Sequence, residues 1–315
     1  MSELPAPPIV DLERIRAVVA AARAAGRSSL LEPEGLAVLE AAGLAVPASR
    51  LVRRASEVTA TLLAGLPGER VVVKVVAASI AHKTDVGGVA VVSREPAAVA
   101  AAIDRMAVAT GGVAEGYSIA AFVPHDQGPA GELLLSLRWT DDFGPVVAIG
   151  AGGILTEALA ADLRPGREIA IVSPSLTPRD GIAGAIAAAT AVRLATGRLR
   201  GQAPRIPIER VVDAVERLLA LASLVPGEIS ELEINPAAVT PDGLVALDIL
   251  VNLGDGPRPA RAPRPLHQVD RLLRPATIGI VGVSSGMNSG RVILRNILRD
   301  GFDPAAVTVI KPGAA

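Results

Sequence analysis

Two stretches of this 315-residue chain carry residue types at spacings suited to holding phosphate and a divalent cation. The first runs Val71-Val-Val-Lys74-Val-Val, then Ala77-Ala-Ser-Ile-Ala-His82-Lys83-Thr84-Asp85-Val86-Gly87-Gly88, and returns as Val89-Ala-Val-Val-Ser93. It reads as a strand, a glycine-bearing flap and a returning strand. A lysine inside a valine-rich strand points off one face and must find an anion or snorkel to water. Gly87 and Gly88 let the backbone come close to a ligand, with their N–H groups available to phosphate oxygens. A plain surface hairpin with an edge lysine is the competing reading. Composition weighs against it. Of 31 basic residues only Lys74, Lys83 and Lys311 are lysine, so a lysine here marks a need for a compact ammonium. His82, one of three histidines, directly precedes Lys83.

The second stretch is Glu231-Leu-Glu233-Ile-Asn235-Pro236, followed by Thr240-Pro241-Asp242-Gly243 and then Leu247-Asp248-Ile249. Strand alternation puts Glu231, Glu233 and Asn235 on one face. A two-residue turn centred on Pro241–Asp242 sets Asn235 directly opposite Asp248, whereas centring on Asp242–Gly243 moves them one diagonal apart on the same face. Their Cβ atoms would then lie about 5 Å apart, or up to about 8 Å on the diagonal. One carboxylate and one amide oxygen suit Mg²⁺, which takes few protein ligands and completes its shell with phosphates and water. Glu233 either orients Asn235 or serves as a third ligand through water. An exposed polar strand face is the alternative.

The elements that must position these groups alternate along the chain. Strand patterns appear at residues 71–76, 89–93, 117–123, 132–139, 145–149, 229–240 and 244–251. Helical patterns appear at 12–26, 32–42, 57–64, 96–109, 180–195 and 208–223. Residues 12–26 look like an added N-terminal helix. Hairpins mixed with helices predict an α/β (α+β) arrangement with partly antiparallel sheets. Residues 253–269, dense in Pro, Gly and Arg, read as a stiff linker. Beyond them a strand (277–283), a Gly/Ser loop, a helix (289–299) and a strand (307–310) form one further unit.

Composition narrows the class. Half the residues are apolar, enough to bury a sizeable core, and the formal net charge of −1 offers nothing to nucleic acid or a membrane surface. No apolar run reaches the roughly 20 residues of a membrane span. The start lacks a basic signal-peptide region. The absence of cysteine removes disulfides, thiolate zinc sites and cysteine nucleophiles, and a cytoplasmic location is expected.

His-Lys-Thr-Asp-Val-Gly-Gly-Val behind a Val-Val-Lys strand resembles the signature of the ATP-grasp part of ADP-forming acetyl-CoA synthetases, and more loosely the β chain of succinyl-CoA synthetase. Glu-Ile-Asn-Pro at 233–236 with the following Asp248, Gly131-Glu132-Leu-Leu-Leu, and Phe143-Gly-Pro…Gly152-Gly153 resemble the same family. The resemblance implies that Lys74 and Lys83 serve the nucleotide phosphates, that Gly87–Gly88 cover them and that Glu132 faces the nucleotide. It also implies Mg²⁺ on Asn235 and Asp248, with His82 as phosphoryl relay. Its implied ligands are ATP or ADP, Mg²⁺ and CoA. Leu272-Leu-Arg-Pro-Ala-Thr-Ile-Gly-Ile-Val-Gly282 resembles the opening of the family's Rossmann-like CoA-binding domain.

The expected organisation is an N-terminal helix (1–27), an ATP-grasp domain (28–252), a Pro/Arg-rich linker (253–270) and an incomplete CoA-binding unit (271–315). Such a chain is expected to be part of a longer enzyme, or a short subunit needing a downstream CoA-ligase region or partner, and to be oligomeric. Two departures stand out. The strand where the family carries a base- and ribose-docking glutamate reads Ile119-Ala120-Ala121-Phe122-Val123, and residues 163–174 stray from the family's pattern. A nucleotide-sensing module without turnover and an ATP-grasp carboxylate–amine ligase are the rival readings. His125, in a polar loop, is expected at the surface, and His267 receives no role.

Overall fold

The computed structural model describes residues 10–80, 83, 86–140, 143–201, 203–256 and 268–311. They divide into two compact units, 1–258 and 259–315.

The first unit contains two antiparallel sheets. The smaller has strand order β1-β4-β2-β3, made of β1 (Ser49–Val52), β2 (Arg70–Val76), β3 (Val89–Ser93) and β4 (Gly116–Ala121). Val71, Val73 and Val75 alternate along β2 and are completely buried in a core shared with Leu63 of α3 (Ala60–Ala64) and with Val99, Ile103 and Met106 of α4 (Pro96–Ala109). The alternate positions, Val72 and Lys74, therefore face the other way.

The larger sheet runs β10-β8-β5-β6-β7. It comprises β5 (Glu132–Thr140), β6 (Gly144–Ala151), β7 (Ile169–Val172), β8 (Ile229–Thr240) and β10 (Ile249–Leu253), while β9 (Gly243–Ala246) also pairs with β8. Its main core gathers Leu133, Leu135 and Leu137 of β5 against Val211, Val215 and Leu218 of α8 (Ile208–Leu224). Buried residues of α2 (Glu32–Ala41), α6 (Ile182–Ile186) and α7 (Thr190–Ala195) join it. Between β6 and β7 lies α5 (Thr156–Asp162).

Several expected elements take a different form. The helix expected as an appendage, α1 (Leu12–Ala24), places Ile15 and Ala22 fully inside the main core. The single helix expected over 180–195 is broken into α6 and α7. At the break, Thr190 N–H bonds the Arg167 carbonyl and the Arg167 guanidinium bonds that of Ala188, so tertiary bonding overrides the alanine propensity of the run. The expected strand 244–251 is likewise split around Leu247–Asp248 into β9 and β10.

In the second unit α9 (Val269–Leu273) precedes β11 (Ile278–Val281), α10 (Ser289–Arg299) and β12 (Val307–Ile310). The two strands pair in parallel, with the helix as their crossover. Gly290 in the first turn of α10 approaches the Gly282 carbonyl so closely that a Cβ there would lie 2.8 Å from it.

Candidate functional site

Register explains why the smaller sheet presents one lysine on a mostly apolar floor. Val72 pairs with Val91 and Ala120, and Lys74 pairs with Val89 and Ser118, so β2 is a central strand and Lys74 no edge residue. Val72, Lys74, Val89, Val91, Ala120 and Ala121 form one wall of a cleft of about 540 Å³. Glu132, Gly153, Asn235, Pro236, Leu247 and Asp248, from the larger sheet and its loops, line the same cleft. Residues as far apart in sequence as Val72 and Asp248 thus meet where two sheets face each other.

The closing hairpin turns on Pro241–Asp242. Thr240 pairs with Gly243 and Ala237 with Ala246, and the same register continues from Ile234 to Ile249. Asn235 therefore stands directly opposite Asp248, and its N–H bonds the Asp248 carbonyl at 3.2 Å. A bulge in β8 against Leu133–Leu135 of β5 accommodates Asn235–Pro236. Asn235 Oδ1 accepts the Gly153 N–H at 2.8 Å and keeps a second acceptor direction. Gly153 has φ +66°, a left-handed conformation that favours glycine, and a Cβ on it would fall 1.8 Å from Glu132 Oε2 and displace that carboxylate.

The charges are tightly shared. Lys74 Nζ donates to Glu32 Oε1 at 2.7 Å and to the Leu247 carbonyl at 2.5 Å. Lys83 Nζ bonds Glu32 Oε2 and lies 3.2 Å from Asp248 Oδ1. Burial by itself depresses an ammonium, but the carboxylates of Glu32 and Asp248 outweigh it and hold the Lys83 pKa above the usual lysine value. Lys83 is therefore charged at neutral pH. In the flap, the Gly88 N–H closes a turn onto the Lys83 carbonyl at 2.7 Å, and a Cβ there would lie 2.8 Å from that oxygen. Gly88 thus shapes the flap in this structure, where its N–H was expected to face phosphate. Gly87 has φ +68°. His82 lies outside the described residues, as does His267.

Two site residues escape a reading by pattern. Glu32, at the start of α2, reads as an ordinary acid in a first helical turn. His125, expected at the surface, has a side chain only 7% exposed; its ring donates to or accepts from Glu132 Oε1 at 2.9 Å and meets the Val123 carbonyl at 2.8 Å. Its scarcity and its place seven residues before Glu132 were the available signals.

The donor chemistry fits Mg²⁺. Asp248, with its carboxylate 40% exposed, and the Asn235 amide oxygen converge on the cleft. Among the described residues no three His, Cys, Asp or Glu side chains gather into a metal cage. A two-donor site suits an ion that brings phosphate and water ligands with it.

The chain belongs to the ATP-grasp domain family, whose model matches residues 21–253. It is 28% identical over 236 residues to the β subunit of acetate–CoA ligase [ADP-forming] I from Pyrococcus furiosus, covering 75% of this chain and 96% of the subunit. It is 29% identical over 222 residues to acetate–CoA ligase [ADP-forming] I from Archaeoglobus fulgidus, covering 70% of this chain but 30% of that longer ligase. Among solved structures, acetyl-coenzyme A synthetase 1 of Ca. Korarchaeum cryptofilum superposes with a TM-score of 0.60 at 28% identity, over 76% of this chain and 99% of that one. That structure holds coenzyme A and Mg-AMPPCP, with a phosphohistidine segment pointing towards the nucleotide binding site.

Proposed function

We propose that this chain is the nucleotide-binding, phosphoryl-transferring part of an NDP-forming acyl-CoA synthetase: acyl-CoA + ADP + phosphate ⇌ acid + CoA + ATP. The observation that carries the reading is the convergence of Lys74, Glu132, Asn235 and Asp248 on one cleft between two antiparallel sheets. Residues 28–252 form the ATP-grasp domain, 253–270 a linker and 271–315 part of a CoA-binding unit, in a cytoplasmic and oligomeric enzyme. A downstream CoA-ligase region or partner subunit supplies acyl transfer.

Lys74 neutralises phosphate charge from the sheet floor, and the Lys83 flap with Gly87–Gly88 covers it from above. Asn235 and Asp248 would hold Mg²⁺, which would supply charge neutralisation for the nucleotide phosphates. Phosphoryl transfer depends chiefly on this positioning and charge neutralisation. Val72, Val89, Val91 and Ala120 offer the apolar slot that a flat base requires. The residues lining the slot include Ala120, Ala121 and Phe122 at the strand where the family has a glutamate, so base docking here rests on apolar contact and backbone groups. His82 accepts the phosphoryl group and passes it between sites.

The test is incubation with Mg and γ-labelled ATP. Acid-labile, base-stable label should appear on the wild type and vanish in His82→Ala. Equal labelling of both removes His82 from the relay. Nucleotide binding with no phosphoprotein favours a sensing module instead.

A further inference from the structure

Glu32 belongs to neither motif that marks the site, yet it is the group on which both site lysines meet. It opens α2, 42 residues before Lys74 and 51 before Lys83, and its side chain is 3% exposed. One carboxylate oxygen accepts from Lys74 and the other from Lys83. Each lysine has a second acceptor, the Leu247 carbonyl for Lys74 and Asp248 for Lys83. An ammonium has three N–H donors. Among the described residues two donors of each lysine are directed by Glu32 and its second partner, which fixes where the third points.

We propose that Glu32 is a positioning residue for phosphate binding: one buried carboxylate orients the floor lysine and the flap lysine together. This rests on the nucleotide reading above. Two ammoniums brought to one region repel each other, and each long side chain has many rotamers. A shared counter-ion removes the repulsion and selects one arrangement of both. A carboxylate with no role beyond the fold would need a single lysine partner to avoid standing as an uncompensated buried charge. Here the second oxygen reaches the flap, so the site's two halves are set by one group. Glutamine cannot replace it, because its single oxygen accepts from one ammonium while its amide donors oppose the other.

Calorimetric titration of the full chain with Mg-ADP tests this. Glu32→Gln should bind on the order of tenfold more weakly, the consequence of losing a charge-assisted bond. Combined with Lys74→Ala, it should cost less than it does in the wild type, because only the Lys83 ammonium is then left for Glu32 to orient. Unchanged or tighter binding by Glu32→Gln, or losses that simply multiply, overturns the proposal. Should Glu32→Gln melt below the assay temperature, Glu32→Asp keeps the charge but is one methylene too short to span both lysines. It should show the same tenfold weakening, and wild-type affinity in that variant overturns the proposal equally. No Mg-ADP binding by the wild type overturns the nucleotide reading itself and this proposal with it, a result distinct from an effect confined to position 32.

Discussion

Lys74 would meet a phosphate with an ammonium already held by a carboxylate and a carbonyl, its side chain only 10% exposed. Replacing it by alanine removes charge-assisted bonds that contribute on the order of 1.5–3 kcal/mol to phosphate affinity. Calorimetry with Mg-ADP should show that loss, and wild-type affinity would take Lys74 out of the site. Lys74→Arg should also bind weakly, because a planar fork has no room to satisfy both Glu32 and Leu247. Asp248→Asn should raise the Mg²⁺ concentration needed for half-maximal nucleotide binding while leaving the melting temperature close to that of the wild type. An unaltered Mg²⁺ requirement would sink the Asn235–Asp248 pair as a metal site. That Lys74, Asn235 and Asp248 share one cleft was legible in the sequence, because strand alternation assigns the faces of Lys74 and Asn235 and the hairpin register sets Asp248, between β9 and β10, opposite Asn235. Glu32 was not, since its bonds to Lys74 and Lys83 cross 42 and 51 residues, and His125 was not, since a polar loop gives no sign that its ring is buried.

At the scale of elements, the hairpin register could be narrowed to two neighbouring turn centrings because Thr-Pro-Asp-Gly admits few turns, and the structure adopts the one on Pro241–Asp242. The elements missed were short. β1 and β7 are four-residue edge strands, too brief for period-two alternation to stand out from loop. The break after β9 was invisible for another reason: a carbonyl that leaves the ladder at Leu247 is taken by a lysine from a different sheet. α1 was read as peripheral because its helical pattern says nothing of its partner. Ile15 is fully buried in the main core, so Ile15→Ala should destabilise the first unit by about 2–5 kcal/mol. Denaturant unfolding measures this, and a change below about 0.5 kcal/mol, usual for surface positions, would restore α1 to the status of an appendage.

The whole molecule joins a large antiparallel unit to a small one in which two parallel strands share a single crossover helix. Val281, Ile293 and Ile310 of that small unit are at least half exposed, whereas parallel strands are ordinarily covered on both faces. The chain also spans 96% of an archaeal β subunit but 30% of a longer ligase. Given acid, CoA, ATP and Mg²⁺ but no partner, it is expected to make no acyl-CoA. Robust synthesis by the 315 residues alone would show that acyl transfer needs nothing further.

The spread of the site along the chain also dictates when it can exist. Lys74 reaches Leu247 across 173 residues and Lys83 reaches Asp248 across 165. Contacts of such sequence separation form late, after most loop-closure entropy has been overcome. During synthesis both lysines leave the ribosome after Glu32 but long before Leu247 and Asp248, so each must wait for its second partner. The cleft is thus a product of completed folding, and a chain stopped before Leu247 would lack both second partners of the site lysines, Leu247 and Asp248.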